Sequence, residues 1–257
     1  METVLVHGVR LDIQRIAAPA GRPAAPIVFL HEGLGSVAMW RDWPASVCAA
    51  AGRAGIVYSR RGYGASDPVA DVRGAGRLAP DYMHREAFEV LPALLRELGV
   101  DAPVLLGHSD GGSIALLHAS RYPLAACVVL APHVIVEDVS VRSIEQARVA
   151  FESGGLRDRL ARYHADVDGA FWQWNDVWLS AGFRSFDIRP ECRRIRAPVL
   201  ALQGVDDPYG TLRQVQEIAP TAGRFELHAL PACGHSPHRD QPATVTATIT
   251  DFLATVP

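Results

Sequence analysis

Residues Gly107–Gly111 read Gly-His-Ser-Asp-Gly and decide the fold, because they lie between a strand-like run and a helix-like run. The preceding residues 103–106 are Pro-Val-Leu-Leu, typical of a buried strand, and residues 112–119 have helical spacing. This context places Ser109 on a sharp strand-to-helix turn, a nucleophile elbow. Glycines flank the turn because a side chain there would collide with the neighbouring strand or helix. We therefore expect an accessible serine hydroxyl and an Asp110 amide that faces a developing oxyanion.

An acidic residue and a histidine follow this serine in the order that such a turn requires for catalysis. Residues 197–204 form a buried-strand pattern closed by a glycine, and Asp206 and Asp207 come shortly after it. His235 lies in the loop after the strand-like residues 225–230. A histidine activates a serine by taking its proton, and a carboxylate holds that histidine in the correct tautomer. Each residue alone is compatible with an ordinary turn, but their joint order predicts a Ser-His-Asp triad.

The chain resembles the α/β-hydrolase family over nearly its whole length, and further motifs carry the resemblance. Residues 31–36, His-Glu-Gly-Leu-Gly-Ser, are similar to the family's His-Gly oxyanion loop. Residues 59–67 are similar to its Arg-Gly-x-Gly-x-Ser turn, and residues 204–208 to its Gly-x-x-Asp acid turn. Residues 234–235 resemble its terminal Gly-His. Among the members of this family, the chain resembles the lidded serine hydrolases, both esterases and meta-cleavage-product hydrolases.

The resemblance implies a role for each matching residue. The offset from the glycine selects Asp207 over its neighbour Asp206 as the acid. The implied roles are nucleophile for Ser109, general base for His235, orienting acid for Asp207, and backbone oxyanion-hole donors for Gly33 and Asp110.

Glu32 departs from the family, which often has glycine at this position. A free carboxylate aimed into the oxyanion hole would oppose the charge that develops there. Two interpretations stay open: the side chain turns aside and pairs with an arginine such as Arg60 or Arg61, or it is a solvated glutamate at the loop surface. We expect His31 to brace the same loop.

The composition favours one globular domain that acts on small molecules. The chain has 257 residues, 49% of them hydrophobic, which is enough for a core that needs no metal or disulfide. Its formal net charge is −3 and it contains no lysine, which argues against nucleic-acid binding. No apolar run approaches about 18 residues and no leader pattern is present, so we expect a cytoplasmic protein without a membrane anchor. The four cysteines are widely spaced, and neither a metal site nor a cofactor is predicted.

Strand-like and helix-like segments alternate, which predicts an eight-stranded, mostly parallel sheet with helices on both faces. Residues 20–26 are a turn-rich connection, because the segment before them is too short to fold alone. We expect strands near residues 4–9, 11–16, 27–30, 55–59, 104–106, 126–130, 199–203 and 225–230. Helices are expected over residues 38–51, 81–98, 111–121, 212–219 and 242–254.

Residues 132–190 are predicted to be a helical lid inserted after the sixth strand, with residues 1–131 and 191–257 forming the core domain. Ligands of such sheets lie beyond the carboxyl ends of the strands, where this insertion begins. Within it, Trp174 and Trp178 share a helix face because they are four residues apart. These aromatics either pack the lid against the core or roof an apolar pocket. The residues predicted to contact substrate are Glu32, His133, Trp172, Trp174, Trp178 and Tyr209.

These features predict a serine hydrolase that cleaves a small carboxylic ester or thioester through an acyl-enzyme. Three alternatives stay open: hydrolysis of a carbon–carbon bond in a meta-cleavage product, hydrolysis of an enol-lactone, and a small-molecule receptor on a hydrolase scaffold. A hydroxynitrile lyase usually needs a pocket cation such as lysine, and a haloalkane dehalogenase needs a carboxylate at position 109, so neither is favoured. The sequence leaves open the acyl group, the leaving group and any self-association.

Overall fold

The computed structural model describes residues 2–19 and 24–256, and its centre is one sheet of eight strands. Their order across the sheet is β1-β2-β4-β3-β5-β6-β7-β8. β2 is antiparallel to β1 and β4, whereas every pair from β4 to β8 is parallel. The predicted mostly parallel sheet is therefore confirmed. The strands are β1 (Glu2–Val6), β2 (Val9–Ile16), β3 (Ile27–Leu30), β4 (Gly55–Tyr58), β5 (Val104–His108), β6 (Ala126–Leu130), β7 (Val199–Gly204) and β8 (Phe225–Leu230).

Helices cover both faces of this sheet, as the fully buried strands β3 to β7 require. One apolar cluster joins one face to α1 and α11 through residues such as Val47 and Ile249. The other joins the opposite face to α3 and α4 through residues such as Leu94 and Ile114. The helices are α1 (Trp43–Ala51), α2 (Tyr82–Arg85), α3 (Leu91–Glu97), α4 (Asp110–Ala119), α5 (Asp138–Glu152), α6 (Gly155–Leu160), α7 (Val167–Trp178), α8 (Arg189–Cys192), α9 (Arg213–Gln216), α10 (Pro237–Asp240) and α11 (Pro242–Leu253).

The first two strands are shifted from their predicted positions. β1 ends at Val6 because His7 and Gly8 both have positive φ, 50° and 79°, and form a tight two-residue hairpin turn. Residues 24–26 of the predicted connection lie between β2 and β3, and its residues 20–23 lie outside the described part of the chain.

Three predicted helices are shorter or interrupted. The helix expected over residues 38–51 is a 3-10 turn followed by α1, because Arg41 has a φ of 55° that no helix tolerates. The helix expected over residues 81–98 contains a π-helical turn at Glu86–Val90, just before Pro92, which has no amide hydrogen for an i→i−4 bond. Of residues 212–219, only the four residues of α9 are α-helical.

The segment between β6 and β7 contains α5, α6, α7 and α8. Its two ends are tied together by a bridge between Ile135 and Asp187. Within it, α7 packs on α5 through stacked rings of Phe151 and Phe171, 3.7 Å apart. No helix in the described part of the chain is both long and apolar enough to cross a membrane.

Candidate active site

Ser109 occupies the strained turn between β5 and α4 that the sequence predicted. Its φ of 52° and ψ of −119° lie in a region that non-glycine residues rarely adopt. A Cβ atom at Gly107 would overlap the carbonyl of Gly111, and one at Gly111 would overlap the carbonyl of Leu30. Both flanking glycines are therefore required for the close approach of strand and helix.

A continuous hydrogen-bond chain joins Ser109, His235 and Asp207. The Ser109 Oγ atom lies 2.9 Å from His235 Nε2, and His235 Nδ1 lies 2.8 Å and 2.9 Å from the two carboxylate oxygens of Asp207. A carboxylate only accepts, so Nδ1 carries the hydrogen and Nε2 is free to take the serine proton. The three residues come from the carboxyl edge of the sheet, after β5, β8 and β7 respectively.

Asp207 is a buried acceptor whose ionised form is favoured. Burial raises the pKa of its carboxyl, but the His235 hydrogen bond and charge, together with the Tyr209 amide, lower the pKa below its usual value. The Tyr209 amide and Gln203 Nε2 each donate to it at 2.8 Å. Asp206 is exposed instead, and its amide donates to the Cys233 carbonyl. Gln203 is a contributor that the sequence analysis missed, because nothing local marks it.

Gly33 and Asp110, the predicted oxyanion-hole donors, both line one cavity with Ser109 and His235. Asp110 is the first residue of α4, where a helix leaves the amide without a helical acceptor. A Cβ atom at Gly33 would overlap the indole nitrogen of Trp174, so glycine is needed there for α7 to approach.

The Asp110 side chain holds the elbow to the segment between β6 and β7. Tyr82 Oη donates to its Oδ2 atom at 2.5 Å, and Trp178 Nε1 lies 3.3 Å from its Oδ1 atom. An Arg60 nitrogen lies 4.0 Å away. Burial raises the pKa of Asp110, while Arg60 and the two hydrogen bonds act in the opposite direction. Tyr82 was not among the predicted site residues.

The cavity above Ser109 has a volume of about 200 Å³. Five of the six residues predicted to contact substrate line it, namely Glu32, His133, Trp174, Trp178 and Tyr209. Leu34, His108, Ile144 and Ser236 also line it and were not predicted. A larger cavity of about 520 Å³, near Tyr63 and Glu86, contains no member of the triad.

Trp172 is the predicted substrate contact that the structure places elsewhere. The Arg73 guanidinium carbon lies over the Trp172 ring, 4.0 Å from the ring centroid. The Trp172 side chain is partly exposed. Trp172 and Trp174 are two positions apart, which corresponds to about 200° around the helix axis. Trp172 therefore belongs to the outer side of α7, and the assignment of substrate contact to it is corrected.

Two cavity residues, His133 and Tyr209, lie against the ring of His235. The Tyr209 ring centroid is 4.7 Å from that of His235, and the His133 ring is 5.7 Å from it. Burial, followed by the His235 charge, lowers the pKa of His133 to about 3, so this imidazole is neutral at neutral pH. His133 also packs edge-on against Trp178.

Glu32 agrees with the first of the two interpretations in that its side chain turns aside and pairs with an arginine, but that arginine is Arg239 and neither Arg60 nor Arg61. Its side chain is only 18% exposed, and its Oε1 and Oε2 atoms lie 3.4 Å from Arg239 Nη2 and from His108 Nδ1. Arg60 donates instead to the backbone carbonyls of His31 and Glu32, at 2.7 Å and 3.0 Å. His108 belongs to the elbow motif, so the residue can be located from the sequence. Its contact with Glu32 cannot, because the two residues are far apart along the chain.

His31 occupies the bracing position expected for it. Its Nδ1 atom lies 2.6 Å from the Glu32 carbonyl, and its Nε2 atom accepts from the Arg60 amide at 3.0 Å. The oxyanion loop is thus fixed from within before any substrate binds.

Sequence comparison places the chain in a family consistent with this geometry. A sequence model of the alpha/beta hydrolase family matches residues 27–248. Because this is most of the chain, the protein belongs to that family and is an α/β-fold hydrolase.

Individual relatives share the fold but differ in what they act on. The chain is 25% identical to sn-1-specific diacylglycerol lipase ABHD11 of Mus musculus, with 89% of this chain and 80% of the lipase aligned. It is 27% identical to the putative carbamate hydrolase RutD of Variovorax paradoxus (strain S110), over 89% of this chain and 92% of that protein. The solved enol-lactonase of Burkholderia xenovorans LB400 has a TM-score of 0.74 at 20% identity, over 98% of this chain and all of that one. At this identity the structural likeness shows the fold alone.

Proposed function

We propose that the protein is a serine hydrolase that cleaves a small carboxylic ester or thioester through a covalent acyl-enzyme. The observation that carries the proposal is the hydrogen-bond chain from Ser109 through His235 to the buried Asp207. Ser109 and His235 line a cavity in which a substrate can bind. The chemistry needs only these side chains and the backbone amides, so we propose no cofactor.

Acylation follows from the donors and acceptors in place. Ser109 Oγ attacks the substrate carbonyl carbon while His235 Nε2 takes its proton, and Asp207 stabilises the resulting imidazolium. The negative carbonyl oxygen is stabilised by the amides of Gly33 and Asp110. His235 then gives the proton to the leaving group as the carbon–oxygen or carbon–sulfur bond breaks.

Deacylation repeats the sequence with water as nucleophile. His235 takes a proton from water, which attacks the acyl-serine, and the collapse of the second tetrahedral intermediate returns that proton to Ser109 Oγ. The products are a carboxylic acid and the free enzyme.

We further propose that residues 132–190 act as a lid that limits the size of the acyl group. A volume of about 200 Å³ is below the usual range for pockets that hold drug-sized ligands. Trp174, Trp178 and Ile144 supply apolar surface to it, which suits a short apolar acyl chain. Residues 1–131 and 191–257 then form the core, and we propose a cytoplasmic location in keeping with four free cysteines.

The alignment with a putative carbamate hydrolase over 92% of its length favours one second candidate, a carbamate in place of the ester. A substrate panel separates the bond types. It contains p-nitrophenyl esters of increasing chain length, an acyl-CoA thioester, a p-nitrophenyl carbamate, an enol-lactone and a ring-cleavage dienoate, all followed by absorbance. We expect the highest kcat/KM with a short-chain ester or thioester.

A fluorophosphonate probe tests the nucleophile directly and separates an enzyme from a receptor. We expect one label per chain on Ser109 at neutral pH, and none in Ser109→Ala. Absence of labelling in the unmodified protein would favour a receptor built on a hydrolase scaffold.

A further inference from the structure

His108, the residue before the nucleophile, spans the gap between the two loops that serve the site. Its Nε2 atom lies 2.7 Å from the backbone carbonyl of His235. A carbonyl only accepts, so Nε2 carries a hydrogen. Its Nδ1 atom is buried, has no hydrogen-bond partner among the described residues, and lies 3.4 Å from Glu32 Oε2.

A neutral His108 does not fit this arrangement. With the hydrogen on Nε2, the Nδ1 lone pair would face a carboxylate oxygen at 3.4 Å in a buried place, where two acceptors repel each other. One proton between Nδ1 and Oε2 removes the conflict. Arg239 Nη2, 3.4 Å from the other oxygen of Glu32, favours the ionised carboxylate and so leaves that proton on His108.

Glu32 is ionised in this arrangement. Burial raises the pKa of its carboxyl, but the contact with His108 and the charge of Arg239 hold that pKa well below its usual value. The neighbouring imidazoles of His238 and His133 have pKa values lowered by burial to about 2 and about 3, so they add no positive charge.

We propose that His108 and Glu32 form an imidazolium–carboxylate pair that positions the catalytic base loop against the oxyanion loop. The pair rests on the proposed serine-hydrolase function, and both members are positioning residues. Through Nε2–H, His108 fixes the backbone of His235, the proposed base. Through Glu32, it fixes the residue next to Gly33, whose amide is a proposed oxyanion donor. The unusual acid at position 32 thus has a partner in the elbow motif.

Loss of the pair is expected to displace the reacting atoms and to leave the affinity for substrate almost unchanged. In Glu32→Gln the carboxylate charge is gone while the shape is kept. In His108→Gln the side-chain amide retains a donor for the His235 carbonyl but no cation. We expect each change to lower kcat by on the order of tenfold to a hundredfold with KM nearly unchanged, because small misplacements of catalytic groups reduce the rate strongly.

A double-mutant cycle tests whether the two residues act together. If the pair exists, Glu32→Gln combined with His108→Gln lowers kcat no more than either change alone. The partly exposed pair Glu226–His228, 3.9 Å apart on β8, is the control, and its substitution leaves kcat unchanged. Multiplicative losses in the Glu32 and His108 cycle would overturn the proposal.

The protonation state is measured independently of activity. We expect ¹⁵N NMR of the histidine rings at pH 7 to show both nitrogens of His108 protonated, a signal identified by its loss in His108→Gln. In Glu32→Gln only Nε2 should stay protonated. A bare Nδ1 in the unmodified protein would overturn the pair even if hydrolysis is observed, whereas a protein that shows the pair but takes no fluorophosphonate label would contradict only the hydrolase function.

Discussion

Asp207 accepts hydrogen bonds from three different groups, and this fixes its orientation before any substrate binds. His235, the Tyr209 amide and Gln203 each donate to it. A carboxylate held in this way keeps the histidine hydrogen on Nδ1, so that Nε2 always faces the serine. The position of one proton is therefore set by the hydrogen bonds that Asp207 accepts.

Asp207→Asn should lower kcat by on the order of 10³ to 10⁴, because an amide at this position favours the wrong histidine tautomer. The neighbouring change Asp206→Asn is the control and should alter kcat little, since this side chain is exposed. Steady-state kinetics with a p-nitrophenyl ester measures both. A larger loss in Asp206→Asn would show that the acid has been assigned to the wrong residue.

Tyr82→Phe should destabilise the fold by about 1–3 kcal/mol, because it removes a donor from a buried carboxylate. The Tyr82 hydroxyl bonds Asp110 at 2.5 Å and also accepts from Trp178. Tyr122→Phe, which removes a half-buried bond to the backbone carbonyl of Phe88, is the control and should cost less. Urea unfolding measures both free energies, and equal losses would show that the Asp110 contact contributes nothing special.

Candidate site residues that belong to local motifs could be predicted from the sequence. The side chains that contact them could not. Ser109, Asp207 and His235 each follow a strand-like run with a glycine nearby, so order along the chain predicted a serine, an acid and a histidine. The choice of Asp207 over Asp206 came from the resemblance to the family's Gly-x-x-Asp turn. Glu32 was recognised as unusual, but its contacts with His108 and Arg239 depend on how distant segments meet. No pattern within a few residues of Glu32 contains that information.

At the scale of elements, α7 has an inner and an outer aromatic side. Trp174 and Trp178 face the cavity, whereas Trp172 rests against Arg73 on the outer side. The sequence predicted a helix with aromatic residues but not its rotation about its own axis, which is set by packing on α5. This is why the assignment of Trp172 to the cavity is wrong.

Trp174→Ala should enlarge the cavity and shift preference toward longer acyl chains. The best short substrate should lose roughly 1–3 kcal/mol of binding through lost apolar contact. Trp172→Ala, on the outer side of the same helix, is the matched control and should leave the chain-length profile unchanged. The kcat/KM values over a series of p-nitrophenyl esters give the profile, and the same profile in both variants would mean that α7 does not limit acyl size.

Gly33→Ala should reduce activity by displacing α7, because the added methyl group overlaps the Trp174 indole. Combining it with Trp174→Ala removes the overlap and should restore part of the lost kcat. Kinetics of the two single variants and the double variant measures this recovery. A double variant that is as inactive as Gly33→Ala would locate the damage in the oxyanion loop itself.

Helix interruptions were the least predictable elements. The break at Arg41 depends on a positive φ that arginine rarely adopts. The π-helical turn at Glu86–Val90 lies just before Pro92, a local signal that the predicted helix over residues 81–98 did not take into account. Periodicity of apolar residues passes smoothly through both places. The sheet was easier to predict, because strands that are buried on both faces form short, continuous apolar runs.

For the whole molecule, the parallel sheet brings together residues that are far apart along the chain. The carboxyl ends of β5, β7 and β8 lie at one edge, and the segment between β6 and β7 closes over that edge through Trp174 and Trp178. We therefore expect Ser109, at this edge, to become covalently acylated during turnover.

Rapid acid quench followed by peptide mass spectrometry detects an acyl group on Ser109. After p-nitrophenyl acetate is mixed with the protein, we expect one acetyl group on the peptide that contains Ser109, formed at least as fast as steady-state turnover, and none in Ser109→Ala. Hydrolysis that proceeds with no acetylated Ser109, or a Ser109→Ala variant that retains a rate within tenfold of the unmodified protein, would contradict the account.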